Sequence, residues 1–398
     1  MGAEGKREHS DTILEASAGN RGRLPSVSLF FLRLGATAFG GPAVYIAMMR
    51  DEVVSRRRWL TDAHFLDLLG ATNLIPGPNA AEMAMHIGRL RAGWRGLVLA
   101  GLCFTAPATG ITLAFAWSYV RFGSTPELSW VLYGVKPIVI GVMIHAIFSL
   151  SRPMMSRPLL LLLGGSVLAL YFLGINEIAL LFGAGLAVVL WASLGHLRAE
   201  HPVAAFALPG LPWLAGAGAA GASSFSLGVL FLTLLKIGCI LYGGGYVLVT
   251  FLRADFVDRL GWLTEQQLLD AVAAGQVTPG PLLSTVTFIG YILGSWPGAL
   301  LATIGVFLPS FALVAVAGPL IPSLRRLPWT AALLDGVSVG ALALMAGVTW
   351  QLGRTAIVDV PTAVLAVVGI ILLLRLGVNP TWLVLLGGAS GFLIRVVA

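Results

Sequence analysis

Long apolar runs alternate with short polar segments along most of the chain. Four clear runs are "LVLAGLCFTAPATGITLAFAW", "IALLFGAGLAVVLWASLG", "GALLATIGVFLPSFALVAVAG" and "TAVLAVVGIILLLRLG". Each is near or above the ~18–20 residues that cross a bilayer as a helix. Because the runs are continuously apolar rather than alternating, they favour helices over a β-barrel. The pattern, with about ten such segments, predicts an all-α polytopic membrane protein.

Composition agrees with this prediction. Of 398 residues, 57% are hydrophobic and 11% are charged, against about 25% charged in soluble domains. The net charge of +7 indicates no nucleic-acid partner, since most Lys and Arg lie between the apolar runs, where they act as topology signals. Two cysteines provide neither a disulfide framework nor a metal quartet, and we expect no cofactor.

The chain contains an internal repeat. At a constant offset of 203 residues, "FGGPAVYIAMMRDEVVSRRRWLTDAHFLDLL" falls on "YGGGYVLVTFLRADFVDRLGWLTEQQLLDAV". The Trp-Leu-Thr triplets and the Pro-Gly-Pro triplets coincide, and after a one-residue gap the match continues. We therefore divide the chain into a polar, mobile tail at 1–24, a first repeat at 25–195, a Gly/Ala/Pro-rich linker at 196–225 and a second repeat at 226–398. Duplicated halves indicate a transporter whose site lies at the repeat interface near the midplane.

Positive charge indicates how the two halves are oriented. The loops on either side of the first Pro-Gly-Pro carry seven arginines and two acids, and the equivalent loops in the second half carry two arginines and two aspartates. The positive-inside rule then places these loops in the cytoplasm for the first half and outside for the second. Both loops lie on one side of the triplet, so we expect a broken helical hairpin at Pro-Gly-Pro. Each half then has five transmembrane helices plus this hairpin. Because five is an odd number of crossings, the second repeat is inverted relative to the first. The alternative is a simple kink with six parallel spans per half.

The Pro-Gly-Pro breaks are candidate anion sites. A helix that restarts after the second proline has unpaired N–H groups and a dipole end that attract anions. Broken backbone at membrane depth is tolerated inside protein or beside a wet cavity. The candidate residues are the triplets and their polar neighbours, with the two glycine pairs of the preceding helix: Gly40, Gly41, Asn73, Pro76, Gly77, Pro78, Asn79, Gly243, Gly244, Gln276, Pro279, Gly280, Pro281 and Ser284.

Three cations lie within apolar segments. Arg33 and Lys236 align at one repeat position, and Lys136 lies in a later apolar helix. Cations inside membranes are costly and usually functional, so we expect these three to bind the anion. The alternative for Arg33 and Lys236 is that their side chains reach the headgroups.

Titratable groups near the breaks are candidates for proton coupling. Glu82 and His86 are separated by one helical turn just after the first break, and Asp335 lies in the span aligned with Lys136. Asp67 and Asp270 align one helix earlier, where pairing to a nearby arginine is an equally good explanation.

These residues resemble the chromate ion transporter family in its long, two-domain form. The resemblance is carried by "LRLGATAFGGP", "RRRWLTDAHFLDLL", "PGP", "IGRLRAGWRGLVLAGLCFTAP" and their second-half counterparts. It implies export of chromate across the bacterial inner membrane, driven by the proton gradient, with sulfate as the natural competitor. One departure is Gly245, which stands where the first half has Pro42, so the halves need not contribute equally.

Rival functions remain open from the sequence. The nearest is transport of sulfate or another anion by the same architecture. A membrane-embedded enzyme would need a catalytic cluster, and the chain has no H-E-x-x-H, G-x-S-x-G or Walker motif. A passive channel is a third possibility, which the embedded titratable groups disfavour. The expected partners are the oxyanion, protons and the lipid bilayer, and a homodimer is a possible assembly.

Overall fold

The computed structural model describes residues 23–39, 42–72, 75–123, 125–196, 224–242, 245–317 and 328–397. These residues form fourteen α-helices and no strand. In the first half the helices are α1 (Arg23–Thr37), α2 (Pro42–Arg50), α3 (Asp62–Thr72), α4 (Asn79–Phe122), α5 (Pro126–Ser151), α6 (Pro158–Phe172) and α7 (Glu177–His196). In the second half they are α8 (Leu227–Ile240), α9 (Leu248–Leu252), α10 (Glu265–Val277), α11 (Thr285–Ala317), α12 (Pro328–Ala356), α13 (Val360–Leu376) and α14 (Pro380–Val397). Nearly all of the predicted tail and of the predicted linker lie outside the described residues, and Arg23 and Leu24, which the prediction placed in the tail, begin α1.

The two halves match helix by helix, which confirms the all-α, two-repeat prediction. Both α2 and α9 continue into a π-helical turn, at Asp51–Arg56 and Arg253–Arg259. Both α4 and α11 contain the same break in helical geometry. Its first residue has φ −141° and ψ 23° in Ala92 and in Gly294 alike, and Gly93 and Ser295 follow at φ 62° and φ 52°.

These matching breaks are chain reversals. A Cβ on Gly88 would collide with the carbonyl oxygen of Gly96 and with Ala100. Residues 88 and 96 would be about 12 Å apart along a straight helix, so segments 79–91 and 94–122 must pack side by side. Gly290 meets Gly298 and Ala302 in the same way. Glycine at these positions lets the two helical segments come into backbone contact.

The first helix of each half also belongs to a hairpin. Lys236 Nζ lies 2.6 Å from Asp255, Arg259 reaches Thr233, and the ring of Phe225 packs on Trp262. Residues 236, 233 and 225 thus contact residues 255, 259 and 262 in that order. Because the residue numbers fall on one segment while they rise on the other, the two segments run antiparallel. In the first half, Phe30 packs on Trp59 in the same way.

This hairpin differs from the expected pattern of five crossing helices. The 15 residues of α1 reach about 22 Å, and the chain then reverses, so that the first helix of each half pairs with an antiparallel return segment. The length of its apolar run did not reveal this.

A second hairpin turns at each Pro-Gly-Pro, as predicted from the loops on either side. Asp270 on α10 and Phe288 on α11 both contact Tyr119, at 3.0 Å by hydrogen bond and 5.2 Å between ring centroids. The chain must reverse between them to bring both to one side chain. A capping box starts α10, in which the Thr264 hydroxyl accepts from the Gln267 N–H and the Gln267 side chain accepts from the Thr264 N–H.

The repeats are inverted. Arg89, next to the turn at the base of the first-half hairpins, donates to the carbonyl oxygens of Val314 and Ala315 at 2.9 and 2.8 Å. Val314 is 20 residues, or about 30 Å of helix, beyond the Gly294 turn at the base of the second-half hairpins. The two bases therefore lie at opposite ends of the molecule.

Five of the described helices are long and apolar enough to cross a membrane: Asn79–Phe122, Pro126–Ser151, Leu282–Val316, Trp329–Ala356 and Pro380–Val397. Shorter apolar helices accompany them in both halves. The outer surface carries exposed large apolar side chains such as Leu162, Trp191 and Trp382. A bilayer solvates such a surface, whereas water would not.

Candidate functional site

The two Pro-Gly-Pro breaks dock reciprocally on the opposite halves. The Gly77 N–H donates to the Leu241 carbonyl at 2.7 Å, and the Gly280 N–H donates to the Ala38 carbonyl at 3.1 Å. Gly77 is the repeat equivalent of Gly280, and Ala38 that of Leu241. Each break therefore pairs with the unwound end of the first helix of the other half, across an approximate two-fold axis.

Backbone chemistry explains this arrangement. Proline on either side leaves the central glycine as the single N–H donor of each triplet, and the last carbonyls of α1 and α8 have no intrahelical partner. Buried backbone groups must find partners, and each half provides the one that the other lacks. Gly77 has φ 147° and Gly280 has φ 92°, values that favour glycine. The Tyr45 hydroxyl donates to the Gly280 carbonyl at 2.7 Å and holds the second break in place.

The first-half break carries a buried acid. Glu82 lies one turn after Pro78 and is 0% exposed, and neither of its carboxyl oxygens has a hydrogen-bond partner among the described residues. The Ser310 hydroxyl lies beside the Glu82 carboxyl group and interacts with it, and a Cβ on Gly77 would meet both groups. One turn along the helix, His86 is also buried, and its Nε2 has no partner in this part of the chain. Tyr242, from the second half, lies close enough to Glu82 to interact with its charge.

The second-half break carries neutral polar groups instead. Ser284 takes the position that Glu82 holds in the first half, and it accepts a hydrogen bond from Thr112 at 3.0 Å. The Thr278 oxygen lies 3.5 Å from Ser284 Oγ. The Thr285 hydroxyl and the Gln276 side-chain NH₂ are buried and without a hydrogen-bond partner within the described ranges.

The three candidate cations are not gathered at the breaks. Lys136 Nζ lies 3.2 Å from Asp270, which also accepts from Tyr119 at 3.0 Å. Lys236 is paired with Asp255 at 2.6 Å, and Arg259 shares that carboxylate. The side chain of Arg33 is exposed on α1. Two of the three are thus neutralised by a partner.

The remaining candidates are dispersed. Asp335 is half-exposed and paired with Arg157 at 2.5 Å, so it lies at one end of the molecule rather than at the breaks. Asn79 is half-buried at the start of α4, and it has interactions of its own. Five predicted site residues lie outside the described residues: Gly40, Gly41, Asn73, Gly243 and Gly244.

Several polar groups at the breaks were not identified from sequence. Thr112, Thr285 and Ser310 lie on α4 or α11, and Tyr45 lies on α2. Thr112, Ser310 and Tyr45 contact the opposite half, and no local pattern marks such contacts. A comparison of equivalent repeat positions would have drawn attention to Ser310, because the first half has Ala108 there.

A large cavity adjoins the second-half break. Its volume is about 760 Å³, and α4, α5, α10, α11 and α14 line it. Tyr119 and Asp270 are its principal polar groups among apolar side chains that include Val277, Phe288 and Leu385.

Comparison with known proteins places this architecture in a family. The sequence profile described as "Chromate transporter" matches residues 26–189 and 228–392, one match in each half. The chain is 35% identical over 358 residues to the chromate transport protein of Cupriavidus metallidurans, which covers 88% of each chain. It is 31% identical to the probable chromate transport protein of Synechococcus elongatus, over 89% of this chain and 91% of that protein. It is 32% identical to the chromate transport protein of Pseudomonas aeruginosa, over 85% and 83% respectively.

No solved structure gives a significant match to the chain. The family match covers both repeats and most of the chain, and the helical architecture fits a multi-pass protein of the bacterial cell membrane. The resemblance seen in the sequence motifs is therefore confirmed. The chain belongs to the chromate transporter family and is a membrane transporter.

Proposed function

We propose that this protein exports chromate from the cytoplasm and that the proton gradient drives the export. The substrate assignment is supported by the family match and by the names of the three relatives. The observation that carries the coupling is Glu82, a carboxyl group with no exposed surface and no hydrogen-bond partner among the described residues, at the first-half break.

The direction of transport follows from electrostatics. The arginine-rich base of the first half faces the cytoplasm under the positive-inside rule, which puts the base of the second half outside. When a dianion leaves a cell whose interior is 100 mV negative, the membrane potential makes the transfer favourable by about 4.6 kcal/mol. Export therefore runs with the electrical gradient, and a proton that enters in exchange adds the chemical gradient.

Glu82 is suited to carry the proton. A carboxylate is costly to bury away from water, so we propose that Glu82 carries the proton while the two halves are packed together as in this structure. When the halves move apart, water reaches Glu82 and the proton can leave. His86, Arg89, Tyr242 and Ser310 are the other polar groups around this position, and none is an acid that could replace it.

We propose that the anion site lies among the groups of the Pro-Gly-Pro breaks. Asp270 neutralises Lys136, so Lys136 is proposed to shape the site through this pair rather than to bind the anion directly. Lys236 pairs with Asp255, which also pairs with Arg259. We therefore propose that Lys236 stabilises the first hairpin of its half and does not bind the substrate. Arg33 is exposed and is proposed for attracting the anion at the surface.

The test is uptake of ⁵¹Cr-chromate by inverted vesicles from cells that express the protein. We expect energised vesicles to accumulate chromate, and we expect nigericin, which collapses the pH gradient, to slow accumulation several-fold. In Glu82→Gln the residual uptake should no longer respond to nigericin, because the proton carrier is gone. Valinomycin with potassium, which collapses the potential, should slow uptake in both proteins.

Three outcomes would contradict parts of this proposal. Labelled sulfate that accumulates where chromate does not would replace the substrate and leave the architecture standing. Uptake into right-side-out rather than inverted vesicles would reverse the direction. A nigericin response in Glu82→Gln equal to that of the wild type would remove the proton role from Glu82. Glu127→Gln, a change of the same kind at an exposed position on α5, is the matched control.

A further inference from the structure

The two breaks occupy equivalent repeat positions but carry different side chains. Glu82 corresponds to Ser284, and His86 to Phe288; on the facing helices Thr112 corresponds to Val314, and Ala108 to Ser310. The first-half break is thus surrounded by an acid, a histidine and a serine. The second is surrounded by hydroxyl and amide groups. Two sites at equivalent repeat positions with different chemistry are suited to two different ligands.

We infer that the halves divide the work: the second-half break binds the tetrahedral dianion through neutral donors, and the first-half break binds the proton and no anion. This inference rests on the proposed function and assigns its two ligands to separate places. The anion donors are the hydroxyls of Ser284 and Thr285 and the side-chain NH₂ of Gln276, and Thr112 orients Ser284 by donating to its oxygen.

The second-half groups have unused hydrogen-bonding capacity. Thr285 and Gln276 are at least nine-tenths buried, and each has a side-chain polar atom without a partner among the described residues. The Thr285 hydroxyl points back across the hairpin toward Gly275, the neighbour of Gln276. Unpaired buried donors are costly to a fold, and a bound oxyanion satisfies several at once.

A long helix starts at the same place. A 3₁₀ turn, Leu282–Ser284, leads into the 33-residue helix α11, and the Ser284 and Thr285 N–H groups donate within that turn to the carbonyls of Pro281 and Leu282. The positive end of the helix dipole favours an anion there. The nearest acid on the adjoining helix, Asp270, is already paired with Lys136 and bonded to Tyr119, so its charge is compensated.

The first-half break is unfavourable for a dianion. Its restarting helix has Glu82 in its first turn, so the carboxylate already occupies the favourable end of the dipole. An ionised Glu82 would repel chromate, and a protonated one offers a single O–H donor. The same position in the second half is a serine, which brings a donor without a charge.

This division also predicts selectivity. Hydroxyl and amide donors without a fixed positive charge bind a fully deprotonated tetrahedral oxyanion by geometry and hydrogen bonding. Chromate and sulfate share that shape and charge. We therefore expect sulfate to compete at the second-half break, and the competition to weaken in parallel with chromate binding when a donor is removed.

The test is equilibrium binding of ⁵¹Cr-chromate to the purified full chain in lipid nanodiscs, combined with vesicle transport. Ser284→Ala and Thr285→Val should each raise the half-saturating chromate concentration at least tenfold, and the sulfate competition constant should rise with it. Thr285→Ser should keep near-wild-type binding, because it retains the hydroxyl. Glu82→Gln should change half-saturation less than twofold while it removes the response to nigericin. Thermal unfolding of each variant identifies losses that come from misfolding.

The outcomes separate the inference from the proposed function. If wild-type protein neither binds nor moves chromate or sulfate, the proposed function fails. If it transports chromate but Glu82→Gln loses binding as strongly as Ser284→Ala, the two breaks share one anion site and the division is overturned. If folded Ser284→Ala and Thr285→Val bind chromate as the wild type does, the anion lies elsewhere and the inference is also overturned.

Discussion

At the scale of single residues, the same ion pair ties the two hairpins together in both halves. Arg50, at the end of α2, bonds Asp62 at the start of α3, with donor–acceptor distances of 2.7 and 2.9 Å. At the equivalent positions Arg253 bonds Glu265 at 2.6 Å. The first pair is half-exposed, whereas Arg253 is 12% exposed and also contacts Asp258 at 2.6 Å. The second pair is therefore the more strongly held, because water screens it less.

The exposed pair predicts a pH dependence. The hydrogen bond and the charge of Arg50 lower the pKa of Asp62 by more than desolvation raises it. A lowered folded-state pKa contributes stability at neutral pH that is lost as the pH falls through it. We expect Arg50→Met to lower the thermal midpoint slightly at pH 7 and to match the wild type only once the pH has fallen below the lowered pKa of Asp62, which lies under the ordinary value of about 3.9. A difference that persists at acid pH would show that Arg50 acts through packing instead.

Ser295 occupies strained backbone where the first half has glycine. Its φ of 52° and ψ of −145° lie in a region that is essentially restricted to glycine and costs about 1–3 kcal/mol. We expect Ser295→Gly to stabilise the protein by about 1 kcal/mol after the entropy cost of glycine. Gly93→Ala, the reverse change at the equivalent turn, should destabilise it. Thermal unfolding in nanodiscs measures both, and two shifts of the same sign would contradict this account.

At the scale of helices, proline and glycine indicated where the chain breaks but not every reversal. The Pro-Gly-Pro hairpin followed from a triplet that cannot continue a helix and from arginine loops on one side of it. The first hairpin was missed because "LFFLRLGATA" has the composition of a crossing helix. Its partner, the segment from α9 to the π-helical turn, is rich in charges whose pairing with Lys236 is visible only in three dimensions. The composition of an apolar segment indicates that it is buried in lipid, but it does not indicate whether the chain crosses the membrane or turns back.

The chain reversals after the breaks depend on small residues. A Cβ at Gly88 would meet the Gly96 carbonyl oxygen and Ala100, and neither backbone nor Ala100 can move without separating the helical segments. We expect Gly88→Val to cost at least 2 kcal/mol and to lower transport, because the Glu82 segment is displaced. Gly290→Val should do the same in the second half.

A matched control lies on the same helix as Gly88. A Cβ at Gly110 would meet nothing within 4 Å, so Gly110→Ala should fold and transport as the wild type does. Thermal unfolding and chromate uptake are the two measurements. Gly88→Val with wild-type stability would mean that the close packing of the two segments is dispensable.

At the scale of the whole molecule, arginine distribution was enough to predict inversion. The structure agrees through contacts that join opposite ends of the repeats, such as Arg89 with the Val314 carbonyl. The reciprocal docking of Gly77 and Gly280 could not be predicted, because each partner lies about 160 to 240 residues away and offers a backbone carbonyl with no sequence signature. The asymmetry of the site could be predicted in part, since Glu82 and Ser284 align.

Inversion makes a prediction that is independent of the substrate. Trp94 and Trp296 occupy equivalent positions just after the two chain reversals, and both are exposed, at 59% and 61%. Tryptophan at such a place is typical of the membrane interface. In a background with Cys103 and Cys239 changed to serine, we introduce Trp94→Cys or Trp296→Cys separately. A membrane-impermeant maleimide should then label the residue at 296 in intact spheroplasts and the residue at 94 in inverted vesicles. The two turns lie at the bases of the hairpins of their own halves, so labelling of both positions from one side of the membrane would mean that the repeats are parallel.

Parallel repeats would be related by a two-fold axis along the membrane normal, which would put both turns at the same end of the molecule. The contact of Arg89 with the carbonyls of Val314 and Ala315, about 30 Å of helix from the Gly294 turn, is incompatible with that arrangement.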